Sequence, residues 1–252
     1  MRQRRAAIRH LVYLSAVVTA QAVMPEGATA ETFEDSFAGG KTELDWTAYS
    51  MLAGGGVEGQ PAKDAPDGDG GIGVLRHKGG GLATVSYAKT AKAEDSFEVS
   101  GWVYCPRDAD GRDGTLTGLA FYLHTDKGST DPEEGGFYRL VCDYRFGTGS
   151  FSLAYVGANI GRQPLELERW PLIEQTAAAK DDGWRRLRID VEAGLIDLYL
   201  DEVKLNERPI AAERVITDIA NVDAGYAGVY AGHLGETGTA EARIDDFTYV
   251  VR

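Results

Sequence analysis

The chain has 252 residues and a formal net charge of −13, from 39 Asp and Glu against 26 Lys and Arg. So acidic a surface repels phosphate, which argues against nucleic acid and anionic membrane surfaces as partners. With 32 glycines and only two cysteines, the composition also argues against a disulfide-dense scaffold.

Arg2, Arg4, Arg5 and Arg9 precede an apolar run at 11–22, and small-x-small sites follow at 20–22 and 28–30. Basic, apolar and small residues in that order read as a secretory signal peptide at 1–30. The run is shorter than the roughly 20 residues a membrane span needs. Cleavage after Ala30 removes four Arg and one Glu, leaving 222 residues at 31–252 with net charge −16. That length suits one β domain with a full core. No later segment approaches spanning length, so the expectation is a soluble protein, periplasmic or secreted, with no membrane insertion.

Short alternating segments follow, at 33–37, 46–52, 72–77, 82–87, 96–105, 117–124, 137–146, 150–157, 184–192, 195–201, 225–231 and 242–251. Clusters of Gly, Asp, Asn or Pro separate most of them, the pattern of a sandwich or barrel. Phe97, Val99 and Val103 alternate with Glu98, Ser100, Trp102 and Tyr104. Leu187, Ile189 and Val191 alternate with arginines and an aspartate; Ile196, Leu198 and Leu200 continue the pattern. The apolar member of each pair belongs in the core. Glu192-Ala193-Gly194 makes 184–201 a hairpin. Helical candidates are confined to the short runs 172–180 and 211–220, and long loops are expected at 54–71, 106–116 and 125–136. The fold expected is therefore all-β, with at most short peripheral helices.

Cys105 and Cys142 share parity with apolar neighbours, so both thiols point to the core. In an oxidising compartment that pair suggests one disulfide. Two buried thiols that never meet are the alternative, since a bridge needs Cα atoms about 4.4–6.8 Å apart. Opposite the core positions stand Trp102 and Tyr104, Tyr122 and His124, and Arg139, Asp143 and Arg145. On neighbouring strands they would set aromatic rings beside charged groups, the way sugars are held. An ordinary solvated sheet face with Arg–Asp pairs is the alternative.

Several stretches carry a family likeness. They are Phe33-Glu34-Asp35-Ser36-Phe37, Ser96-Phe97-Glu98-Val99, Thr117-Gly118-Leu119-Ala120-Phe121-Tyr122 and Gly136-Phe137-Tyr138-Arg139-Leu140-Val141-Cys142-Asp143. Further along come Trp184-Arg185-Arg186-Leu187-Arg188-Ile189, Leu198-Tyr199-Leu200-Asp201, Gly225-Tyr226-Ala227-Gly228-Val229-Tyr230 and Ile244-Asp245-Asp246-Phe247. Their order resembles the concanavalin A-like lectin/glucanase superfamily, within it the laminin G-like jelly rolls, and most closely the 3-keto-disaccharide hydrolase-type domain. The resemblance implies a two-sheet antiparallel jelly-roll sandwich whose concave face takes up glycans in many members. That pattern often carries Glu where this chain has Arg139, so a role of that Glu does not transfer; the following Asp is matched by Asp143.

The E-x-D-x-x-E run of jelly-roll glucanases and the R-x-E-x-R strand of jelly-roll lyases are both missing from the sequence. A catalytic reading rests on His124 as base with Asp143 and Arg139. No zinc spacing, phosphate loop or G-x-S-x-G elbow occurs. Calcium is the ion the loops suit, because it takes 6–8 oxygens from a chain able to fold around it. Asp64, Asp67 and Asp69 form one candidate set, and Asp108, Asp110 and Asp113 a second. A third joins Asp35 to Asp245 or Asp246, where some members of the superfamily hold a structural calcium. Three functions are expected in order: an oligo- or polysaccharide-binding domain, a glycan hydrolase or lyase, and a structural or protein-interaction domain of the cell envelope.

Overall fold

The computed structural model describes residues 30–49, 55–78, 83–92, 96–105, 115–123, 136–143, 150–157, 165–171, 183–211, 225–233 and 239–252. Within them the strands are β1 (Glu31–Asp35), β2 (Trp46–Ala48), β3 (Glu58–Pro61), β4 (Gly71–Lys78), β5 (Ala83–Ala88) and β6 (Phe97–Tyr104). Next come β7 (Thr115–Leu123), β8 (Gly136–Asp143), β9 (Ser150–Gly157), β10 (Leu165–Pro171) and β11 (Trp184–Glu192). The chain continues through β12 (Leu195–Leu200), β13 (Val203–Lys204), β14 (Ile210–Ala211), β15 (Tyr226–His233) and β16 (Thr239–Val251). Of the helical candidates, 172–180 lies outside the described residues; 211–220 does too, except Ala211, which ends β14. Among the described residues no helix is long and apolar enough to cross a membrane.

The strands build the expected two-sheet antiparallel sandwich. One sheet runs β13-β12-β11-β6-β16-β4-β3, with β1 added to β16 and β14 to β12. The other runs β10-β9-β8-β7-β15-β5-β2. The β11–β12 hairpin closes through Ala193 (φ 49°) and Gly194 (φ 72°), both left-handed, so its twist matches the strands. β16 serves three partners: β4 along 239–244, β1 along 247–251, and β6 on its other side.

The core lies between the sheets, where alternation puts it. Phe97, Val99, Leu187, Ile189, Leu198 and Leu200 from one sheet meet Leu119, Phe121, Leu140, Phe151 and Leu153 from the other, all buried. Each such side chain removed from water contributes about 1.5–3 kcal/mol. Cys105 and Cys142 enter this core from opposite sheets and are not bridged, which corrects the disulfide expectation.

Three more expectations change. The predicted loop at 54–71 contains β3, which pairs with β4 although it has no large apolar residue. Tyr122 does not face outward but lies in the core with Phe97, Phe121 and Tyr138. A bulge causes this: the β7–β15 register slips between Gly228↔Ala120 and Tyr226↔Leu123, and Tyr122 takes φ 52°. One extra residue moves the side chain to the other face. Finally, Trp102 and Tyr104 sit on β6 in the nine-stranded sheet, whereas Arg139 and Asp143 sit on β8 in the seven-stranded one. Residues of opposite parity to the core leave the two sheets in opposite directions, so Trp102 and Tyr104 line a different surface from Arg139.

Candidate functional site

The outer face of the seven-stranded sheet can be read in rows across its strands. One row runs Glu166, Ala154, Arg139, Ala120, Gly228, Tyr87 and Thr47 from β10 to β2. Beside it runs Arg169, Ser152, Val141, Gly118, Tyr230 and Val85. Gly118, Ala120 and Gly228 make a floor of small residues in the middle. A Cβ on Gly118 would lie 2.0 Å from the Leu140 carbonyl oxygen, and one on Gly228 2.1 Å from that of Ser86. No larger side chain fits at either place.

Around this floor stand aromatic rings. Tyr49 meets Phe137 edge-on at 5.5 Å, and Phe137 lies 6.2 Å from Tyr230. Tyr87 and Tyr226 stack at 4.8 Å; both are half-buried, and Lys92 sits 5.4 Å from the Tyr226 ring. Burial drives the Tyr49 phenol far above its usual range, so it stays protonated and donates to the Gly136 carbonyl at 3.4 Å.

Arg139 occupies the centre of the row and is only 3% exposed. Its guanidinium lies 4.5 Å from the Tyr230 ring centre, an attractive stacking geometry. Nε and Nη1 are both buried and have no hydrogen-bond partner among the described residues. Arg169, at the edge of the same face, instead pairs with Glu166 and donates to Ser150 Oγ at 2.6 Å.

The outer face of the nine-stranded sheet differs. Trp102 and Tyr104 pack with Trp184, Ile72 and Val74 under Ala62 and Ala65 of the segment between β3 and β4. Arg186 stacks over Trp102 at 5.8 Å and reaches Asp246 at 3.7 Å. Arg188 reaches Glu202 at 3.4 Å, and Lys204 reaches Asp197 at 2.7 Å. Trp102 and Tyr104 thus hold a loop down among paired charges.

Under the same loop lies an acidic cluster. Carboxylate oxygens of Asp67, Asp69 and Asp245 lie within 4.8 Å of one another. Asp245 is fully buried opposite Trp102; its Oδ1 accepts from the Asp246 backbone N–H, and its Oδ2 has no partner. Desolvation, then Asp67, pushes its pKa up to about 8. Asp69 is raised too, by desolvation first and also by Asp67. A buried oxygen with no donor, amid oxygens that repel one another, suits a hard cation, so these residues fit calcium.

The expected sets are therefore rearranged. Asp67 and Asp69 meet Asp245, while Asp64 stays outside the cluster. Asp35 does not join Asp245, although β1 and β16 pair. Its carboxylate instead accepts from the N–H groups of Phe37, Glu43 and Leu44 and from Trp46 Nε1, which satisfies it. His124, Arg145, Asp108, Asp110 and Asp113 lie outside the described residues, as does the side chain of Asp143. Tyr87, Tyr226 and Tyr230 were missed as site residues. The alternation of Tyr226, Gly228 and Tyr230 was the signal that could have found two of them.

No protein-family model matches the sequence, and no curated protein matches it. The structure is similar to carbohydrate binding module CBM66 from Bacillus subtilis, with TM-score 0.51 and 12% identity over 82% of this chain and 96% of that one. A glycoside hydrolase family 16 endo-glucanase from Bacteroides ovatus matches with TM-score 0.54 and 10% identity, over 87% and 99% of the two chains. The catalytic domain of an endo-1,3-beta-glucanase from Thermotoga petrophila gives 0.50 and 9%, over 86% and 96%. All are concanavalin A-like jelly-roll sandwiches, and this chain has that fold.

Proposed function

We propose that this concanavalin A-like sandwich is an exported carbohydrate-binding domain whose ligand lies on the outer face of the seven-stranded sheet. The observation that carries it is the row from Tyr87 through Gly228 and Ala120 to Arg139. A half-buried ring stands at one end, small residues in the middle, and a cation at the other end about 14 Å away, at 4.8 Å per strand. Flat rings cover the C–H faces of sugars while charged groups take their oxygens. Three solved structures of the same fold, named for carbohydrate binding or glucan cleavage, support the reading.

Electrophoresis of the purified protein through gels carrying single polysaccharides tests it. Retardation by at least one, weakened in Tyr87→Ala and Tyr226→Ala, is expected. Migration unchanged on every neutral and acidic polysaccharide overturns it. Product release from the same panel, lost in Asp143→Asn, would move the protein to the hydrolase or lyase reading.

We further propose that Asp67, Asp69 and Asp245 hold a structural calcium. When bound, the ion supplies positive charge to three crowded carboxylates and ties the β3–β4 loop to β16. Export is proposed from the leader at 1–30, and mass spectrometry of the mature chain should find Glu31 at its N-terminus.

A further inference from the structure

We propose that the glycan bound on this face carries an anionic substituent, a carboxylate or a sulfate ester, gripped by Arg139. The inference rests on the reading of that face as a glycan site and names the class of glycan.

Its basis is the unmet bonding of one side chain. Guanidinium can never shed its charge, and it has five N–H donors in one plane. Taking such a group out of water without a counter-charge is costly, and proteins tolerate it rarely. Arg185, the other fully buried arginine described, shows the usual remedy: at 1% exposure its Nη1 is paired with the Asp201 carboxylate at 2.5 Å. Arg139 is buried almost as deeply, yet no carboxylate among the described residues pairs with it. Its row neighbour Ala154 separates it from Glu166, which is already bound to Arg169.

The directions of the unmet donors matter. A guanidinium grips an oxyanion at two points through one of its edges, and each edge includes either Nε or Nη1. Both of those atoms lack partners in Arg139. Tyr230 lies against the group at 4.5 Å, and the buried Nε and Nη1 are the donors that an entering oxyanion would meet. A neutral hydroxyl would satisfy one donor at a time and leave the charge without a counter-ion. An oxyanion satisfies two and neutralises it. In a chain of net charge −13, attraction for anions cannot come from the whole surface, so it falls to local cations, of which Arg139 is the buried one on this face.

The test uses the full protein and four probes measured by calorimetry: tri-galacturonic acid, its fully methyl-esterified form, a sulfated galactan oligosaccharide and a neutral β-glucan oligosaccharide. Inorganic sulfate and acetate serve as bare anions. Wild type is expected to bind the acid or the sulfated probe at least tenfold more tightly than the ester and the neutral probe. Arg139→Met should remove that preference, and Arg139→Lys, which keeps the charge without the fork, should keep part of it. Equal binding of acid and ester by wild type overturns the inference and leaves the glycan reading standing, as does undiminished acid binding by Arg139→Met. Bare anions binding as tightly as the acidic sugars overturns it as well. Binding of no saccharide overturns both readings. Should Arg139→Met fail to fold, the acid-against-ester comparison in wild type still decides.

Discussion

Two arginines, one in each sheet, make the most instructive comparison in the molecule. Arg185 on β11 and Arg139 on β8 are both buried, and both stand at strand positions. Arg185 meets Asp201, whose other oxygen accepts from the Arg186 backbone N–H; the strained φ of 49° at Asp201 goes with that arrangement. Arg139 has, among the described residues, only an aromatic ring. The first is the chemistry of a finished structural joint. The second is a buried cation with no counter-charge among the described residues, which the proposed oxyanion would supply. Burial alone therefore does not distinguish a structural ion from a binding one; the state of its hydrogen bonds does.

The largest effect should separate the two arginines by stability. Arg185→Met strands the Asp201 carboxylate in the interior, and a loss of about 3–5 kcal/mol is expected. Arg139→Met removes a charge that nothing paired, so its stability should stay within about 1 kcal/mol of wild type or rise. Chemical denaturation with an unchanged m-value reads both. Equal losses in the two variants would erase the contrast.

Next comes the acidic cluster proposed to hold calcium, which sets the loop-bearing face against the proposed ligand face. Asp245 has a folded pKa of about 8 against an ordinary value of 3.8. The metal-free fold is thus favoured by the protonated acid; that contribution is complete below about pH 4 and fades as pH rises through 8. Calcium replaces the proton, so its stabilisation should grow from pH 5 to pH 8.5, reaching about 2.7 kcal/mol at a hundredfold excess over Kd. Thermal melts in chelator and in calcium measure this, and Asp245→Asn should abolish the response. An increment from calcium that does not change with pH would reject the cluster as its site.

A smaller effect tests the stacking. Tyr230→Ala takes away the ring beneath Arg139, and acidic-glycan affinity should fall by about 1–2 kcal/mol, or 5–30-fold. Smallest is the effect of Trp102→Ala on binding. That ring packs beneath the β3–β4 loop on the opposite surface, so the melting temperature should drop while glycan affinity is unchanged within error. Lost affinity there would show that the two faces are not independent.

The alternation of apolar residues in β6, β11 and β12 was enough to find the strands and the side each residue takes, because those strands keep a strict period of two. The same rule failed where geometry intervened. β10, with Leu165, Glu166, Leu167 and Glu168 in succession, carries a register shift between Glu166 and Glu168, and it passed unseen. Tyr122 was assigned to the wrong face by a bulge that no composition signals. Alternation also tells inside from outside but not one sheet from the other. Trp102 and Arg139 were both read correctly as opposite to the core, yet they stand on opposite surfaces. The calcium candidates show the same limit: each aspartate was noticed within its own segment, but the tertiary partnership that joins Asp67 and Asp69 to Asp245 depends on how a loop folds over a distant strand.

The way β1 is attached has a mechanical meaning. Glu31 lies opposite Val251, and the five rungs of that ladder run inward to Asp35 and Phe247. With the proposed cleavage after Ala30, a pull applied at Glu31 and Val251 would load the rungs singly, like a zip, instead of shearing all five together. β1 should peel at low force and come to rest at Asp35, where four hydrogen bonds anchor one carboxylate. The seven-stranded sheet, which neither β1 nor β16 enters, would stay untouched by that tug.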